Sequence, residues 1–215
     1  MKQENEFLEI KLSEIRDILL ELEFLKTDIL MLIDKEEEYF EAVVKESIFL
    51  HRLHLNYIKL FTIDLYKLID ERENYNLYSL INYCKTNISK INWEREINLA
   101  KLNQLENDIT NVPSHFKDIS LLRNKHYAHN DKNKKKFNTQ ISLKDFWHVL
   151  KTLQNVFSTI IIHFNNDQWI FDIQYRKPNV IKNAYKYKKT VELYFEHASK
   201  EIDLDFKKFK KIMCS

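Results

Sequence analysis

Between residues 4 and 33, Leu8, Leu12, Ile15, Leu19, Leu22, Ile29 and Ile33 recur at alternating spacings of three and four, with Lys26 interrupting the seam once. That period predicts a long amphipathic helix of heptad character. Ile10, Ile18, Leu25, Leu30 and Leu32 widen the apolar stripe beyond a two-stranded seam. The helix is therefore expected to pack into a bundle or to offer a broad dimer face. After an acidic stretch at 34–38, a second long helix is predicted to run to about Asp70. Its core face reads as Tyr39 or Phe40, then Val43, Val44, Leu50, Leu53, Tyr57, Leu60, Phe61, Leu65 and Leu68.

Shorter helices follow at 77–87 and 93–109. Pro113 disfavours helix at Val112 but suits the first turn of a new helix carrying His115, Phe116, Ile119, Leu122, Arg123, His126 and Tyr127. This helix should fray near Asn130, ahead of a lysine-rich polar loop. Ser142 is a good N-cap for the next helix, whose buried face reads Leu143, Phe146, Trp147, Leu150, Leu153, Phe157, Ile160 and Ile161. Residues 179–198 look helical, although 189–195 also suit a strand, and 207–211 form a basic tail. The chain is thus expected to be all-α: a helical bundle with two long N-terminal helices. It divides into an N-terminal amphipathic helix (1–35), a helical core (36–166) and a basic C-terminal extension (167–215).

Composition narrows the function classes. The 215 residues contain no glycine and two prolines, with 44% hydrophobic residues. A sizeable core can form, but glycine-rich phosphate loops, dinucleotide fingerprints and Gly-flanked nucleophile elbows are excluded. Cys84 and Cys214 make neither a disulfide framework nor a paired metal motif, which suits a reducing compartment. The start MKQENEFLEI does not read as a signal peptide, and the longest uncharged stretch, 152–166, is too short to span a bilayer. A soluble, cytoplasmic protein is expected.

Charge changes the picture more. The net charge of +2 conceals −8 over residues 1–50, +5 over 51–170 and +5 over 171–215. A polyanion would prefer the second and third portions. Within the second lies Arg123-Asn124-Lys125-His126-Tyr127-Ala128-His129-Asn130-Asp131, the densest group of reactive side chains in the sequence. Cleaving an RNA phosphodiester without a metal needs a group that titrates near neutrality and a cation for the charge growing on phosphorus. Arg123 suits the second role because its planar fork matches phosphate oxygens; His129 or His126 suits the first. On an ideal helix Arg123 and His129 point about 120° apart, whereas His126 and Tyr127 share the face of Arg123. Cooperation of Arg123 and His129 requires the helix to end near Ala128, or two subunits to meet.

Arg123-Asn124, four residues and then His129 resembles the R-x4-6-H motif of the HEPN superfamily. The run 128–131, with the upstream helix at 61–70 ahead of Tyr78-Ser79-Leu80, resembles its abortive-infection and toxin branch. The resemblance covers roughly residues 45–165. It implies a helical bundle that dimerises with two motifs facing across a cleft. It also implies metal-independent endoribonuclease activity in toxin–antitoxin or phage-defence systems, with an antitoxin or defence-system protein as a further partner. Arg123 and His129 would be the catalytic pair, with Asn124 supporting and His126 as an additional candidate. Where one branch carries a modified tyrosine two places after the histidine, this chain has Asp131, which separates it from that regulation.

Around the motif, Lys125, Lys132, Lys134, Lys135 and Lys136 are candidate contacts to the RNA backbone. Asp64, Asp70 and Tyr127 are candidates for orienting the catalytic groups. No metal or cofactor is expected: His51 with His54, and His126 with His129, are i,i+3 pairs without the third and fourth ligands zinc needs. The alternative expectation is a non-catalytic helical scaffold or RNA-binding subunit, in which the acidic first helix mediates assembly and the motif is a relic or only clamps phosphate.

Overall fold

The computed structural model describes residues 2–35, 37–124, 141–169, 171 and 179–213. Among them there is no strand. The helices are α1 (Lys2–Ile33), α2 (Ile48–Ile69), α3 (Leu77–Thr86), α4 (Leu99–Thr110), α5 (Pro113–Leu121), α6 (Leu143–Asn165) and α7 (Asn179–Met213), with a π-helical turn at Phe40–Val44 between α1 and α2. The all-α expectation holds. The chain forms two compact units: Met1–Leu30 with Leu53–Gln174, and Met31–Arg52 with Tyr175–Ser215.

In the larger unit the heptad seam of α1 faces inward: Leu8, Leu12, Ile15, Leu19, Leu22 and Ile29 are all buried. Leu25 is buried with them, whereas Ile10 and Leu30 stay exposed, so the stripe is narrower than its sequence. Phe61, Leu65 and Leu68 of α2 join this core as expected, with Tyr66 and Ile69 beside them. α6 supplies a further apolar face, from Phe146 to Phe164, and α3, α4 and α5 each pack on it. Phe61 meets Phe146 and Trp147 edge to face, with ring centroids 5.6 and 5.0 Å apart, the arrangement aromatic quadrupoles favour.

Local chemistry sets the ends. Asn76 caps α3 by accepting from the Ser79 amide at 2.7 Å, and Asn98 caps α4 by accepting from the Lys101 amide at 2.8 Å. Pro113 stands in the first turn of α5. Ser142 opens α6 through a reciprocal capping box with Asp145, as its sequence position suggested. Without glycine to end α6, Asn166 takes the left-handed conformation at φ 61°.

Three expectations are corrected. The second helix does not run unbroken from 39: after the π turn, Ser47 accepts from the Leu50 amide at 3.2 Å and starts a separate helix. The fourth begins at Leu99, not Trp93, because Asn98 caps it and the Glu94 and Arg95 amides donate to the Phe164 and His163 carbonyls at the end of α6. Residues 189–195 are helix, and the backbone through 207–211 continues α7.

The smaller unit buries Leu32, Tyr39, Val44 and Ile181. There Lys188 of α7 donates to the Ala42 carbonyl at 2.9 Å and pairs with Glu46 at 2.7 Å.

Candidate active site

Arg123 follows α5 in a wider π-type turn at 122–124, a backbone form that concentrates at functional sites. Ile119 and Leu122 are buried and anchor this turn, which leaves Arg123 and Asn124 half-buried. The Arg123 guanidinium carbon lies 4.8 Å from the centroid of the Tyr66 ring, within cation–π range. Its Nη1 donates to Asn124 Oδ1 at 2.7 Å, and Asn124 Nδ2 donates to Ser120 Oγ at 3.3 Å. The asparagine directly after the arginine thus fixes the fork from one side while the phenol face holds it from another. No carboxylate lies in ion-pair range of Arg123 among the described residues. Among the described residues its charge is oriented without being neutralised, which suits a cation that receives an anion.

Tyr66 is itself held. Its hydroxyl oxygen accepts from Arg72 Nη2 at 2.5 Å and hydrogen-bonds the Asp70 carboxyl. Arg72 closes the set with a two-pronged bond to Asp70, Nε to Oδ1 at 3.0 Å and Nη2 to Oδ2 at 2.9 Å. The Arg72 bonds hold the Asp70 carboxyl down at a pKa of about 2, since each favours the charged form. Asp70, at the end of α2, is therefore linked to Arg123 through the Tyr66 ring. Asp64 instead pairs with Lys67 at 2.7 Å on the same helix. Neither Tyr66 nor Arg72 is singled out as a site residue by its sequence context; the signals available are the place of Tyr66 in the family-like helix at 61–70 and its i,i+4 spacing from Asp70 on one helix face.

The other sequence candidates, Lys125, His126, Tyr127, His129, Lys132, Lys134, Lys135 and Lys136, lie outside the described residues. Among the described residues no group of three His, Cys, Asp or Glu side chains is placed to hold a metal ion. None of the described helices is long and apolar enough to cross a membrane.

A family model, described as AbiU2 of the HEPN type, matches residues 14–177. The chain belongs to the AbiU2 HEPN family. It is an abortive-infection-type HEPN domain, and the Arg123 turn lies inside the region that defines it. The match reaches farther than the resemblance over 45–165, taking in α1 from Glu14 onward. This agrees with the burial of the α1 seam in the same core as α2 and α6. Comparison with curated proteins and with solved structures finds no match.

Proposed function

We propose that this AbiU2-type chain is a metal-independent endoribonuclease of abortive infection or toxin–antitoxin defence, acting in the cytoplasm as a homodimer with a motif from each subunit at the cleft. The observation that carries the reading is the Arg123 guanidinium, seated on Tyr66, steadied by Asn124 and left without a neutralising carboxylate among the described residues. It stands at the arginine of the R-x4-6-H motif, in a chain of the HEPN family.

In the proposed reaction the 2′-hydroxyl oxygen attacks the adjacent phosphorus while the 5′-oxygen leaves. The 2′ proton is taken by a base and a proton is returned to the departing 5′-oxygen. His129 serves as the acid or the base, with His126 as its neighbour in the motif, and Arg123 holds the charge that builds on the non-bridging oxygens. The products are a 2′,3′-cyclic phosphate and a 5′-hydroxyl. Lys125 and the lysines at 132 and 134–136 add attraction for the RNA backbone.

The test is cleavage of total RNA by purified protein in excess chelator, with the ends of the products identified. Wild type is expected to cut and to leave cyclic phosphates, while Arg123→Ala and His129→Ala are expected to be inactive at equal protein level. Undiminished cleavage by either variant, or by wild type only when a divalent ion is supplied, would overturn the assignment.

A further inference from the structure

Beside the Arg123 turn, the end of α2, the following turn and α5 enclose an open cleft of about 680 Å³, inside the span of about 300–1,000 Å³ typical of ligand sites. Ile69, Phe116 and Leu121 supply its apolar wall, and Glu71, Lys117 and Ser120 its polar edge. Two of its lining residues are those that hold the motif: Tyr66 lies under Arg123, and Ser120 accepts from Asn124. Phe116 is only half-buried and makes no ring-to-ring contact among the described residues.

The formal charges of the side chains lining the cleft sum to zero. Arg72 is spent on Asp70, and the exposed Lys117 and the exposed Glu71 on the same lining are opposite in sign. An isolated phosphate gains little there, whereas a flat, neutral ring with hydrogen-bonding edges matches the wall and the rim. The cation without a carboxylate partner among the described residues sits next door, on Arg123. A nucleotide has this form, with a neutral planar base at one end and an anionic phosphate at the other.

We infer that the α2–α5 cleft receives an unpaired nucleobase of the RNA, the one neighbouring the phosphate held by Arg123, with Phe116 as its stacking surface and Lys117 and Glu71 facing its edge. The inference rests on the ribonuclease reading for the identity of the ligand, but it predicts binding behaviour that the reading does not. Bases stacked on aromatic side chains are recognised in single-stranded loops, where their faces are free.

The experiment uses the full chain and fluorescein-labelled 12-mers of deoxyadenosine and of abasic sugar-phosphate. Both lack the attacking 2′-hydroxyl, so fluorescence anisotropy reads binding alone. Wild type is expected to bind the base-bearing strand about 5- to 150-fold more tightly than the abasic one, the span of one stacked base. Phe116→Leu, which keeps the apolar bulk but not the ring face, should abolish most of that difference. Lys117→Glu, an exposed substitution that leaves the core alone, should weaken binding of the base-bearing strand. Chelator-resistant cleavage of RNA is measured on the same preparations. Equal affinity of wild type for both strands, or a Phe116→Leu variant that still discriminates, overturns the cleft assignment and leaves the ribonuclease reading standing. A wild type that neither binds the 12-mers nor cuts RNA overturns both.

Discussion

Removing the ring beneath Arg123 should cost activity out of proportion to its cost in stability. Tyr66 is 4% exposed, and the guanidinium carbon lies 4.8 Å from its ring centroid. A cation–π contact this desolvated belongs in the upper part of the usual range, about 1–2 kcal/mol. If that contact positions Arg123 for the transition state, its loss lowers kcat by about 5- to 30-fold, and misplacement of the fork can extend this to about 100-fold. Tyr66→Leu also shrinks a buried side chain, worth about 2 kcal/mol or roughly 4–8 °C in Tm for a chain of this size. Tyr66→Phe keeps the ring and gives up only the bonds to Arg72 and Asp70, so its kcat should fall far less. The assay is a double-mutant cycle on a fluorescent RNA in chelator, with kcat and KM determined for Tyr66→Leu, Arg123→Lys and the pair. In the Arg123→Lys background, where the planar fork is gone, Tyr66→Leu should add little to the loss in kcat. If its effect is the same in both backgrounds, the ring acts through general integrity of the fold, and the positioning argument fails.

Three further outcomes are expected. Asp70→Asn removes a carboxyl whose native pKa is lowered from 3.8 to about 2. Such a group contributes stability that is present above pH 4 and lost as pH falls toward 2, so thermal melts of variant and wild type should differ at pH 7 and converge at pH 2; a constant gap would contradict the bond pattern. Lys11 is buried between Phe7 and Tyr75, donates to Asn74 O and Ser79 Oγ, and has its pKa lowered chiefly by desolvation. Its folded-state pKa lies below the unfolded one, so the penalty is full at neutral pH and fades as pH rises through the folded value toward 10.5. Lys11→Met should therefore raise Tm at pH 7 and gain less at pH 10, and a lower Tm at pH 7 would show that the two hydrogen bonds outweigh burial. Asn76→Ala removes a fully buried N-cap that accepts from the Ser79 amide and donates to the Glu73 carbonyl; the loss of about 2 kcal/mol should appear in urea unfolding as a lower midpoint with an unchanged slope.

Much of this fold is legible in the sequence because its determinants are local. The α1 seam and the Ser142 cap involve residues a few positions apart; the seam is buried from Leu8 to Ile29 and Ser142 caps α6 as read, while Ile33 is half-buried and the reciprocal bond with Asp145 is not foreseen. The break at Ser47 is local and is legible in principle, whereas the start of α4 depends also on distant residues. Nothing near Trp93 announces that the 94 and 95 amides will be satisfied by carbonyls at 163 and 164, which is what keeps that segment out of α4. The site divides in the same way. Arg123 and Asn124 stand out by their chemistry and spacing, and their mutual bond spans one residue. The Tyr66 platform lies 57 positions earlier on another helix, and only packing joins the two. A hydroxyl among eleven tyrosines carries no mark in sequence that it will be the one beneath the guanidinium.

The smaller unit is assembled from Met31–Arg52 and Tyr175–Ser215, separated in the chain by the whole Leu53–Gln174 segment. During synthesis at about 5–20 residues per second, the earlier piece emerges several seconds before the partners of Tyr39 and Val44 have been translated. Until α7 is made, Glu46 waits for Lys188 and those apolar groups face water. A ribosome stalled before codon 179 therefore carries a nascent polypeptide with an unfinished module, open to chaperones and proteases, and the maturation of this module is timed by the completion of elongation through α7.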